Sequence, residues 1–243
     1  MWAGDYAGEG RRARRRTTPG NPVAFGPAPT RMRMTQPAYH KIAFIGSHSI
    51  RKTNAVHSFA GAVGRSGRSV EVGREVVRFN PLGLNEGATP EAQLWVLCAQ
   101  IQQELELRHR AEVLVTDRAV IDNFAYFLRV TGGKDPFGVE PLVRRWCGTY
   151  DLFVRLLPDI ALQPDGVRST NDAFRDEIEG ILDRILPDYI PPDRLITLLA
   201  SEITEGFNWA ALVERLVGPP DPRRQPQPRL VRLAPPPRGW ARG

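Results

Sequence analysis

The sequence is poor in cysteine, in methionine and in long apolar runs. Its 243 residues hold two cysteines, Cys98 and Cys147, and three methionines. Two isolated thiols form neither a metal-binding pattern nor a disulfide framework, so a reducing cytoplasm is the expected compartment. No apolar run approaches the roughly 20 residues that a membrane span requires. The first residues have no apolar middle of the secretory-signal kind. There is no internal repeat. Aromatics make up 8% and are not interleaved with basic residues, which removes the usual signature of a nucleic-acid surface.

Charge of one sign is scarce where a fold is expected. The net charge is +6, but it sits at the ends. Residues 1–40 carry seven Arg against Asp5 and Glu9, and residues 218–243 carry six Arg against Asp221. Residues 41–217 hold 20 basic and 24 acidic side chains, a net of −4. The body is mildly acidic, so contact with nucleic acid is expected at most non-specifically, through the tails. Both tails are rich in Pro, Gly and Arg and too poor in apolar residues to offset ordering entropy. The expected organisation is a disordered tail over 1–38, one domain over 39–217 and a second disordered tail over 218–243.

Between the tails, strand-like and helix-like segments alternate. Lys41–Ile45, Ser69–Val72, Glu112–Thr116, Leu152–Leu157 and Leu195–Leu199 are short apolar runs that suit buried strands. Helical spacing is expected over 53–64, over a long segment from Pro90, over 119–130, from the Asn171 cap to about Leu186, and over 207–217. On the long segment, Leu94, Leu97, Cys98, Ile101 and Leu105 share a face. The alternation predicts an α/β domain with a five-stranded parallel sheet flanked by helices. Ligands of such sheets bind at the carboxyl ends of the strands. Four polar clusters fall there: 46–53, 73–75, 117–118 and 165–170.

The first cluster reads Gly46-Ser47-His48-Ser49-Ile50-Arg51-Lys52-Thr53 between a strand and a helix. That is the setting of a phosphate-binding loop, a P-loop. Backbone amides and a helix N-terminus face the phosphates, Lys52 reaches the outer ones, and the Thr53 hydroxyl serves Mg²⁺. His48 and Ser49 are expected to contribute their amides and to point their side chains outward. Arg51 stands where the pattern has Gly, and a Cβ there crowds the loop.

In the third cluster, Asp117 ends an apolar strand. It is either a Mg²⁺-directing acid or the cap of the next helix. Arg118 then faces the phosphates or the acceptor. Asp122 is either an acceptor contact or a solvated helix charge. Arg168, in Asp165-Gly166-Val167-Arg168, is a candidate to close over the transferring phosphoryl group, and Arg175 is a second candidate.

The runs IAFIGSHSIRKT, EVGRE, TDRAVIDNFAY and PDGVRST, in this order, resemble the ribosylnicotinamide-kinase-like P-loop ATPases. The resemblance covers about residues 40–217. It implies a nucleoside-kinase-like sheet, binding of ATP and Mg²⁺, and phosphoryl transfer to a small hydroxyl-bearing acceptor. It implies phosphate and Mg²⁺ roles for Gly46, Lys52 and Thr53, a metal role for Asp117 and a catalytic role for Arg168. It sets Glu71, Arg74 and Glu75 toward the acceptor, with Glu75 favoured to take the hydroxyl proton and an ion pair with Arg74 as its structural alternative. Homodimerisation through the helix at 90–108 is also implied. The adenylyltransferase half of bifunctional relatives has no counterpart here. Arg51 keeps a second expectation open: a non-catalytic nucleotide sensor or interaction protein with an altered loop.

Overall fold

The computed structural model describes residues 39–83, 87–108, 110–159, 171–203 and 206–218. Five strands form one parallel sheet: β1 (His40–Ile45), β2 (Val70–Gly73), β3 (Val113–Asp117), β4 (Leu152–Leu157) and β5 (Leu195–Leu199), in the order β2-β3-β1-β4-β5. Parallel neighbours need crossovers, and the helices supply them. They are α1 (Lys52–Arg65), α2 (Pro90–Leu107), α3 (Val120–Val130), α4 (Glu140–Cys147), α5 (Asp172–Tyr189) and α6 (Trp209–Val217). None of the described helices is long and apolar enough to cross a membrane.

β1 explains the layering. Its side chains alternate between the faces of the sheet, and both faces are dry. Ile42 and Phe44 pack with Val56, Phe59 and Val63 of α1 and with Trp209 and Val213 of α6. Ala43 and Ile45 pack with Phe124 and Phe127 of α3, Val143 of α4, and Ile178 and Leu182 of α5. The result is helix, sheet, helix.

The five strand regions expected from sequence are all present, each within a residue of its expected bounds, and α5 runs through Pro187 to Tyr189. Two points differ. α4 was not foreseen, because its octapeptide buries only Val143 and Cys147 and follows a Pro- and Gly-bearing stretch that reads as loop. The expected inward face of α2 holds only in part: Leu97 is buried, and Leu94 and Ile101 pack against the core, but the buried face is wider and more polar. It consists of Ala92, Gln93, Val96, Leu97, Gln100, Glu104 and Leu107, while Leu105 is 53% exposed and Cys98 is exposed.

The reason is a polar hub around Glu104. Its carboxylate accepts from Lys41 Nζ (2.5 Å), Tyr150 OH (2.5 Å), Trp146 Nε1 (2.7 Å) and Gln100 Nε2 (2.8 Å). Such a set tolerates burial because every oxygen is bonded and the charge is paired. Burial lowers the pKa of Lys41, and the adjacent Glu104 carboxylate opposes that shift. The hub joins α2, the start of β1, α4 and the turn before β4.

Candidate active site

β1 delivers the loop 46–51 to the carboxyl edge of the sheet. Gly46 has φ +132°, and a Cβ there would lie 2.5 Å from the Leu156 carbonyl oxygen and 2.7 Å from Ile50 Cδ1. Glycine is therefore required for the chain to turn this close to β4. Ser49 (φ 58°) and Arg51 (φ 60°) both sit in the left-handed region. Arg51 is the cap residue of α1, and its side chain is exposed. The loop thus reaches the conformation that usually takes glycine and turns the guanidinium outward.

Carboxylates hold the first two loop amides. Gly46 N–H donates to Asp122 Oδ1 and Ser47 N–H to Glu179 Oε1, each at 2.7 Å. Lys52 is 1% exposed, and its ammonium donates to the Ser47 carbonyl. Thr53 Oγ1 donates to Asp117 Oδ2 at 2.5 Å. Pairing of Phe44 with Asp117 across β1 and β3 brings the loop and this acid to one level. The other oxygen, Asp117 Oδ1, is buried with no hydrogen-bond partner among the described residues. A hydroxyl and a carboxylate with a spare oxygen, beside the lysine that precedes Thr53 in the chain, form a hard-oxygen set that fits Mg²⁺.

Arg118 follows at φ 85°, with its N–H on the Phe44 carbonyl (3.0 Å) and its own carbonyl held by Gln100 Nε2 (3.3 Å). Its Nε donates to Glu75 Oε1 at 3.0 Å, and its guanidinium lies 5.2 Å from the Tyr126 ring centre. Glu75 also accepts from Arg78 Nε at 2.9 Å. The alternative partner expected for Glu75, Arg74, instead places its guanidinium 5.1 Å from the Phe79 ring centre.

The structure thus brings the loop residues together with Asp117, Arg118, Asp122 and Glu75. Glu71 stays apart: it pairs with Leu114, three positions before Asp117, so its backbone sits below the strand ends. Arg168 lies outside the described residues. Arg175 pairs with Asp172 at 2.9 Å.

Three expectations need correction. His48 does not point outward. It is 3% exposed, lies 5.1 Å from the Phe174 ring and approaches Tyr126 OH at 3.2 Å. Asp122 is neither solvated nor turned to an acceptor. It is fully buried, with its second oxygen on Ala119 N–H at 2.9 Å. Burial pushes its pKa up to about 6, against the pull of Arg118 and Lys52. Finally, the cap of α3 is Ala119, closed by Asp122, so Asp117 is not the cap.

Sequence reasoning missed Glu179, Phe174 and Arg155. Glu179 acts on Ser47 across 132 residues, a distance that no local pattern reports. The visible signal was Arg155, a charge inside the apolar strand LFVRLL.

The comparisons with known proteins agree with this geometry. The AAA-domain family AAA_28 matches residues 41–189. A thymidylate kinase from Ehrlichia chaffeensis superposes with a TM-score of 0.52 at 14% identity, over 74% of this chain and all of that one. The NadR protein, solved in complex with NR, superposes with a TM-score of 0.56 at 17% identity, over 74% of this chain and 52% of that one. The match therefore spans about half of NadR. No curated protein matches the sequence. A loop on a central strand, facing an acid at the end of the next strand, in a kinase-like P-loop NTPase fold, goes with the family match: the chain belongs to the AAA-domain family AAA_28.

Proposed function

We propose that this protein binds ATP with Mg²⁺ on residues 46–53 and transfers the γ-phosphoryl group to a small hydroxyl-bearing acceptor, nucleoside-like in kind. The observation that carries this reading is the Thr53–Asp117 contact beside the buried Lys52, at the joint carboxyl ends of β1 and β3. The names of the two superposed proteins, one a thymidylate kinase and one solved with NR, favour a nucleoside-like acceptor.

Phosphoryl transfer asks the protein for positioning and charge rather than covalent chemistry. Lys52 exchanges the Ser47 carbonyl for the outer phosphate oxygens. Loop amides beyond Ser47 and the N-terminus of α1 face the phosphates. Thr53 and Asp117 hold the Mg²⁺, which when bound neutralises charge on the phosphates. Arg118 contributes a fixed cation at the acceptor side, set by Glu75, Gln100 and Tyr126. Glu75 takes the hydroxyl proton by releasing Arg78, which is the more exposed of its two arginines.

The test is ATP binding and turnover in two variants. Lys52→Ala is expected to lower ATP affinity at least tenfold, which corresponds to about 1.4 kcal/mol. Asp117→Asn is expected to weaken Mg²⁺-dependent binding far more than metal-free binding. Unchanged affinity in the first removes the loop assignment. An equal fall in both metal states of the second removes the metal role. ATP binding with no transfer to any nucleoside-like acceptor would leave the sensor reading in place of the kinase.

A further inference from the structure

The loop that we assign to ATP carries a negative charge on its second amide. Glu179 Oε1 accepts from Ser47 N–H at 2.7 Å, and the residue is 8% exposed. A buried carboxylate beside a triphosphate site is electrostatically unfavourable, because weak screening makes like charges repel strongly there. Its second oxygen supplies the remedy. Glu179 Oε2 accepts from Arg155 Nη2 at 2.7 Å, and Arg155 Nη1 meets Asp183 at 2.7 Å. Arg155 pairs in register with Ile45, the residue before Gly46, so its backbone lies directly beside the root of the loop. An arginine in the middle of a buried strand is costly to keep, and its guanidinium is committed to α5 rather than to solvent.

We propose that Arg155 is a positioning residue that neutralises Glu179, so that this carboxylate can hold the loop without repelling the nucleotide. Glu179 supplies geometry: it turns the Ser47 amide toward α5, which fixes the first peptide of the loop. Arg155 supplies the compensating charge. The two together tie α5 to the loop. This inference rests on the nucleotide-binding reading above and goes beyond it to residues that do not touch the phosphates.

The charge account has a signature that a purely structural account lacks. Affinity of the full chain for ATP with Mg²⁺ is measured by titration calorimetry, with a thermal melt of each variant as a control for folding. Arg155→Met leaves Glu179 uncompensated and is expected to bind ATP at least tenfold more weakly, about 1.4 kcal/mol. Glu179→Gln keeps the acceptor oxygen without the charge, so its loss should be below threefold. The double variant is expected to recover to within threefold of Glu179→Gln, although it lacks the arginine. Arg155→Lys keeps the charge with a poorer fork, and it carries the test if Arg155→Met does not fold. The charge account expects it within threefold of the wild type. A double variant as weak as Arg155→Met would overturn the proposal. So would Arg155→Met binding like the wild type, or a tenfold loss in Arg155→Lys. If the wild type itself fails to bind ATP, the nucleotide-binding reading falls, and this one with it.

Discussion

Gly46 and Arg51 bound the loop and depend on backbone conformation in opposite ways. At Gly46 a methyl group would meet a backbone carbonyl that cannot move cheaply. Gly46→Ala is expected to cost at least about 2 kcal/mol, read as a shifted denaturation midpoint, together with loss of ATP binding. A variant within 0.5 kcal/mol of the wild type, by the usual range of surface substitutions, would show that the loop relaxes. At Arg51 a non-glycine residue already accepts φ 60°. A left-handed residue costs about 1–2 kcal/mol, partly offset by the larger unfolded-state entropy of glycine. Arg51→Gly should therefore stabilise the protein by roughly 0.5–1 kcal/mol. With the guanidinium already exposed, ATP affinity should change by less than tenfold. A larger gain would mean that the side chain obstructs the nucleotide, and a larger loss that it is a phosphate ligand.

At the scale of elements, α3 does more than cover the sheet. Asp122 in its first turn closes the helix N-terminus and also fixes Gly46. Burial raises its pKa to about 6, above the usual carboxylate value of about 3.9. The folded state therefore favours the protonated form. The stability linked to this group is fully present below about pH 4 and is lost as pH rises through about 6. Denaturation midpoints of wild type and Asp122→Asn, compared between pH 4 and pH 7, should show the wild type losing stability relative to the variant as pH rises over that window. A difference that stays constant would refute the assignment.

The elements also show what the sequence could reveal. Apolar runs ending in Gly46 and Asp117 marked β1, β3 and the loop between strand and helix, because those signals are local. The polar part of the inward face of α2 and the clamp on the loop were hidden. A buried Gln100, Glu104 or Glu179 looks like a solvated polar side chain until its partners are known, and partners such as Arg118, Trp146, Tyr150 and Ser47 lie 18 to 132 residues away. Tyr126 fell between these cases. Its place four residues after Asp122 on α3 can be read from the sequence, but its contact with His48 cannot.

For the molecule as a whole, the position of β1 has a consequence for how the protein opens. It is hydrogen-bonded on both edges and covered on both faces. Strands of that kind give up their amide hydrogens only when the entire domain unfolds, whereas frayed elements exchange through local opening. The loop begins one residue after this strand, so the proposed nucleotide site stands on the slowest-exchanging floor of the protein. A ligand held there adds its binding free energy to the global unfolding reaction. ATP should then slow deuterium uptake of the Ile42–Ile45, Val113–Val115 and Val154–Leu156 amides by one common factor, although few of them lie near the phosphates. Protection confined to residues 46–53 would place the nucleotide on a loop that opens independently of the sheet.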